Sequence, residues 1–118
     1  MLEAQIIRLT VAAIALLLPA PASAETVTVK YRGAVDLKPF TCQTITKSGF
    51  INRICYDAAN QYMVILLKDT YYHYCELPKP TLDALMAAPS PGTYYNANIK
   101  GTGKDGPYDC RTRRVPQY

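Results

Sequence analysis

The stretch FINRICYDAANQYMVILLKDTYYHYCELP (Phe50 to Pro78) limits the fold more than any other part of the chain. Phe50–Asp57 and Gln61–Lys68 are strand-length runs rich in apolar, β-branched and aromatic residues. Tyr71–Leu77 is a third, and Pro78 ends it because proline cannot extend a hydrogen-bonded ladder. The connections DAAN and KDT are too short for a crossover, so the three runs must form an antiparallel meander. Asp57, at the end of the first run, is suited to closing the DAAN turn through its side chain.

Beyond Pro80 the apolar spacing changes from two to between three and four. PTLDALMAA places Leu82, Leu85 and Met86 on one helical face, with Pro89 as the stop. In SPGTYYNANIKG, Ser90 is an N-cap, Pro91 the first helical residue, and Gly101 the C-terminal stop. Tyr95 and Ile99, four apart, share one face of this second helix. The expected architecture is α+β, a small three-stranded antiparallel meander followed by two short helices (βββαα), stapled by disulfides. The alternation of Val27, Val29 and Tyr31 leaves room for an extra N-terminal strand, and RGAVDLKPFTC behind it reads as a connecting loop.

The first residues carry a different message. Arg8, the apolar run Val11 to Leu18 and the small-residue triplet Ala22-Ser23-Ala24 have the order of a secretory signal peptide. The apolar core is too short for a permanent membrane helix, so no membrane segment is expected after cleavage. The expected division is 1–24 signal peptide, 25–47 N-terminal extension, 48–100 main domain and 101–118 C-terminal extension with a basic tail. Removing 24 of 118 residues leaves 94, enough for one modest core. The expected location is the periplasm or the extracellular medium.

Cys42, Cys55, Cys75 and Cys110 all lie in the exported part, and an even number there reads as two disulfides. Successive gaps of 13, 20 and 35 residues offer no close ligand pair, so no metal site is expected. Three pairings are possible. The preferred one joins Cys42 to Cys110, tying the two extensions together, and leaves Cys55 for Cys75. That second bridge spans the first and third strands, about 10 Å apart in a flat meander, so a twist or bulge has to bring them together.

The net charge is +4, and it stays there when Arg8 and Glu3 are removed, with twelve Lys and Arg against eight Asp and Glu. Arg111, Arg113 and Arg114 cluster in DCRTRRVPQY, either as a frayed basic tail or as contacts to an acidic partner, a phosphate or an anionic glycan. His73 is the only histidine, and any acid–base mechanism would need it or a carboxylate. It belongs to TYYHYCEL, where Tyr72 and Tyr74 point to one face of the strand and Tyr71, His73 and Cys75 to the other. No Gly-x-Ser-x-Gly, His-Glu-x-x-His or phosphate-cradling glycine loop occurs.

Three ordered blocks resemble the KTSC domain, a small family named for its occurrence at the C-terminus of some lysyl-tRNA synthetases. They are Ser48, Ile51, Ile54, Tyr56 and Asp57; then Tyr72, Tyr74, Leu77 and Pro78; then Ala88, Ser90, Gly92, Tyr94, Tyr95, Asn96 and Ile99. The resemblance implies a small α+β domain and little about activity. The synthetase association suggests nucleic-acid binding by analogy alone, and export disfavours it.

The resulting expectation is an exported, non-enzymatic binding or interaction module with no cofactor. Its partner would be an envelope protein, a peptide or an anionic polymer. Candidate contact residues are Tyr71, His73, Tyr94, Asn96, Arg111, Arg113 and Arg114. The rival readings are a small hydrolase using His73 with a carboxylate and a secreted enzyme inhibitor. A concave pocket collecting His73 with an Asp or Glu favours the enzyme, and a protruding disulfide-supported loop favours the inhibitor. A flat basic-aromatic face favours the binding module.

Overall fold

The computed structural model describes residues 25–101 and 106–118. The signal peptide expected over 1–24 lies outside the described residues. Six strands, β1 (Thr26–Val29), β2 (Gly33–Asp36), β3 (Thr41–Thr44), β4 (Ile51–Asp57), β5 (Tyr62–Leu67) and β6 (Thr70–Tyr74), are followed by helices α1 (Lys79–Ala87) and α2 (Pro91–Tyr95). A π-helical turn over Asn96–Lys100 continues α2 to Gly101, whose φ of 67° ends it.

The meander β4–β5–β6 forms as its short turns require, with Ile54 opposite Ile65 and Ile65 opposite Tyr72. It is only the centre of the sheet. The strand order is β2-β1-β6-β5-β4-β3, a mixed, curled sheet of six strands, so the three-stranded βββαα architecture is corrected while the α+β class stands. β1 joins β6 in parallel, with Val29 opposite Tyr71, and β3 joins β4 antiparallel at the other side.

The stretch expected to be a connecting loop therefore supplies β2 and the start of β3. β2 is only four residues long, with Val35 its single buried residue, and it follows a turn in which Tyr31 (φ 70°) and Gly33 (φ 101°) take left-handed backbone. β3 reads TCQT, and its inward residue is a cysteine. Neither strand is long or apolar enough to show a period of two.

Both faces of the meander are covered. On one, Ile54, Tyr56, Met63 and Ile65 pack against Leu77, Leu82, Leu85, Tyr95 and Ile99. On the other, Cys55, Tyr62 and Val64 pack against Val27, Val29, Val35 and Leu37 from the N-terminal segment. That is why β5 is a continuous apolar run: Tyr62, Met63, Val64 and Ile65 are all fully buried. Close packing also fixes Gly92 at the start of α2, where an added Cβ would lie 2.5 Å from the Phe50 ring.

The disulfides are Cys42–Cys55 and Cys75–Cys110, not Cys42–Cys110 and Cys55–Cys75. Cys42 stands directly opposite Cys55 on neighbouring strands, with Cα atoms 4.0 Å apart. Recognising that pair requires knowing that β3 exists. Cys75, just past β6, receives Cys110 from the returning C-terminal segment, where its N–H also donates to the Tyr108 carbonyl. Two disulfides point to an oxidising, non-cytoplasmic compartment.

The arginine-rich end is not a frayed tail. Glu76 accepts hydrogen bonds from Arg113 Nη1 (3.2 Å) and the Arg114 N–H (3.1 Å). Arg32 donates to the Pro116 carbonyl, and its guanidinium lies over the rings of Tyr62 (5.0 Å) and Tyr118 (5.2 Å). Tyr118 in turn donates to Asp57 Oδ2 at 2.6 Å. Asp57 also closes the DAAN turn, accepting from the Ala59 N–H and Asn60 Nδ2.

Cys75–Cys110 closes a 35-residue separation and Cys42–Cys55 one of 13. Loop closure predicts about 4 and about 3 kcal/mol respectively. Replacing Cys75 and Cys110 together by serine is expected to lower the denaturant midpoint more than replacing Cys42 and Cys55, measured by urea unfolding under oxidising conditions.

Candidate functional site

The site begins with the outer edge of β6. The Tyr71 carbonyl accepts from the Lys30 N–H at 2.8 Å, so Tyr71 turns its backbone away from β5 toward β1. The Cys75 N–H, donating to the Tyr108 carbonyl at 2.9 Å, faces the same way. Backbone direction alternates along a strand, so the N–H and C=O of His73, midway between them, also face outward. β1 ends at Val29 and the chain turns away at Tyr31, leaving His73 between two covered stretches of the sheet edge.

A groove of about 470 Å³ lies at this gap. It is lined by Tyr72, His73 and Tyr74 of β6, by Tyr31, and by Lys100, Gly106, Asp109, Cys110 and Arg111. Tyr31 is 85% exposed, far more than any other large apolar side chain among the described residues. Lys30 Nζ lies 5.3 Å from the Tyr31 ring centroid and 5.6 Å from that of Tyr72, giving the groove a basic and aromatic rim. A second concavity of about 330 Å³ lies between β3 and α1, lined by Gln43, Ile54, Leu82 and Met86 among others.

His73 is half-buried, and its Nδ1 is 2.8 Å from the Tyr62 hydroxyl. Burial, then the nearby Arg32 cation, pushes its pKa below 6.5, against the pull of Asp109. Burial pushes the Tyr62 phenol pKa up, which keeps its proton and lets it donate to an unprotonated Nδ1. Asp109 is held by Arg111, whose backbone N–H and Nε reach Oδ1 and whose Nη2 reaches Oδ2; these bonds lower its pKa. Thus His73 and a carboxylate share the groove, while their hydrogen bonds run to Tyr62 and Arg111.

A His73 ring nitrogen and the Sγ atoms of Cys75 and Cys110 lie within 4.8 Å of one another. These are donor types that zinc and other thiophilic ions use, although the two sulfurs are bonded to each other in the disulfide.

The candidate residues divide among several places. His73 and Arg111 meet in the groove. Tyr71 supports structure, since its hydroxyl accepts from Arg53, which forms a two-point ion pair with Glu25 (2.6 and 2.8 Å). Tyr94 is half-buried against the helix-side core, and Asn96 is exposed at the junction of α2 and the π turn. Arg113 and Arg114 hold the tail to Glu76. Sequence reasoning missed Tyr31, Lys100 and Asp109 as groove residues, because the three come from distant segments and share no motif. Tyr72 and Tyr74 stood out only as part of the family resemblance.

The KTSC domain family model matches residues 47–102. A crystal structure of a KTSC domain protein from Yersinia pestis is similar, with 28% identity and a TM-score of 0.49 over 53% of this chain and 89% of that one. No curated protein gave a match.

The lowered His73 pKa has a definite consequence for stability. As pH falls below 6.5 the unfolded chain takes up the proton first, so stability is lost until the folded histidine also titrates. Urea unfolding between about pH 8 and about pH 5 is expected to show this loss in the wild-type protein and a smaller one in His73→Gln.

Proposed function

With residues 47–102 a KTSC domain, we propose that this protein is an exported, non-enzymatic binding module of the periplasm or extracellular medium. Its ligand is an extended, acidic polypeptide segment that enters the groove beside β6. The observation that carries this reading is the outward-facing backbone of His73 at the groove, between the covered stretches at Tyr71 and Cys75. No described residue pairs with the His73 N–H and C=O, so an extended segment there finds one donor and one acceptor in strand geometry, as in recognition by strand addition. Tyr31 and Tyr72 supply contact area, and Lys30 and Lys100 favour acidic side chains.

A second reading has one specific observation in its favour: His73 and Asp109 share a concavity. A neutral histidine of lowered pKa is chemically able to act as a general base. The binding reading is preferred because Arg111 engages both Asp109 oxygens and Tyr62 engages His73 Nδ1.

Selection of phage-displayed random heptapeptides on the oxidised protein lacking residues 1–24 tests the proposal. The expected outcome is enrichment of sequences carrying Asp or Glu, with binding reduced about tenfold or more by Tyr72→Ser or Lys100→Glu. Binding of single-stranded DNA or an anionic polysaccharide in place of peptides would overturn the ligand class. A turnover abolished by His73→Ala would overturn the non-enzymatic reading.

A further inference from the structure

We propose that reduction of the Cys75–Cys110 disulfide converts this corner of the groove into a site for a thiophilic d10 metal ion, of which Zn²⁺ is the probe. The inference stands apart from peptide binding, since it uses the side chains of His73, Cys75 and Cys110, none of which that reading requires. Three donors from two segments converge here: a His73 ring nitrogen and the sulfurs of Cys75 and Cys110, all within 4.8 Å of one another. Tetrahedral zinc with Zn–S near 2.3 Å and Zn–N near 2.0–2.1 Å needs these donors roughly 3.5–3.8 Å apart. That is within reach of small side-chain rotations once the sulfurs part.

The surroundings suit the function. Cys75 is fully buried, while Cys110 lines the groove, the side from which a thiolate approaches the pair. Metal binding through Nε2 calls for the other tautomer, in which Nδ1 carries the proton and donates to the Tyr62 oxygen 2.8 Å away, an outer contact that orients the imidazole for ligation. Three protein donors leave one position for a further ligand from the groove. Among the described residues no such donor group gathers at Cys42–Cys55, and Val64 stands opposite Cys55 on β5.

The chemistry balances with a dithiol as reductant. Its thiolate attacks Cys110 Sγ, the Cys75–Cys110 bond breaks, and the mixed disulfide resolves as the reductant closes into its own disulfide. The protein gains two electrons and two protons as two thiols. The metal ion then displaces both thiol protons to water as it binds the two thiolates and the imidazole.

The test uses the protein lacking residues 1–24 in a Cys42→Ala/Cys55→Ala background, so that only one disulfide can be reduced. After reduction with a phosphine, circular dichroism checks the fold, and titration with Zn²⁺ and Co²⁺ reads the site. The expected result is one metal ion per chain with a thiolate-to-Co²⁺ charge-transfer band. Affinity falls about tenfold or more in His73→Ala, and no stoichiometric binding occurs in the oxidised protein. If the double-alanine background fails to fold, the wild-type chain with both disulfides reduced is compared with Cys75→Ser/Cys110→Ser. Equal affinity with and without His73, equal binding by the oxidised protein, or binding that survives loss of Cys75 and Cys110 would overturn the proposal.

Discussion

Burial of β5 from both sides is the constraint on which the rest of the structure depends. Tyr62, Met63, Val64 and Ile65 are all fully buried, which requires apolar cover over both faces of one strand. Each such side chain contributes roughly 1.5–3 kcal/mol when removed from water, so a bare meander with helices on one face would leave half of that unrealised. The helices cover Met63 and Ile65, and the N-terminal segment rolls over Tyr62 and Val64. The curl of the sheet and the placement of β1 against β6 follow from that second cover.

The C-terminal segment completes the arrangement with different interactions. Cys110 anchors it at Cys75, Glu76 holds Arg113 and Arg114, and Tyr118 reaches Asp57. Burial opposes the charge on Asp57, but hydrogen bonds from Tyr118, Asn60 and the Ala59 backbone outweigh it and set its pKa below the usual value. Arg32 joins the tail to the second core through the rings of Tyr62 and Tyr118. The same cation helps keep His73 neutral, so tail anchoring and groove chemistry are linked through one side chain.

The groove exists because two chain segments diverge at one edge. β1 pairs with β6 at Tyr71 and then turns away at Tyr31, while the C-terminal segment pairs at Cys75. One residue, His73, lies in the interval. Its backbone faces outward for the same reason that its side chain lies beside Tyr62: strand geometry fixes both directions once the register with β5 is set.

Much was legible from local pattern. Turn lengths specify the meander, Ser90 and Pro91 start α2, and alternation assigns Tyr72 and Tyr74 to one face and His73 and Cys75 to the other. The apolar run of β5 marked a strand, but its cover on both faces emerged only in the tertiary structure, since nothing local identifies what supplies it. β2 and β3 are too short and β3 too polar to announce themselves, so the Cys42–Cys55 pairing was hidden with them. The convergence of Tyr31, His73, Lys100 and Asp109 was equally invisible. The sequence by itself determined the elements whose signal lies within one turn or one strand. Only the tertiary structure decided which edges pair, which cysteines meet and where the groove opens, because those depend on how separate segments compete to cover the same apolar surface.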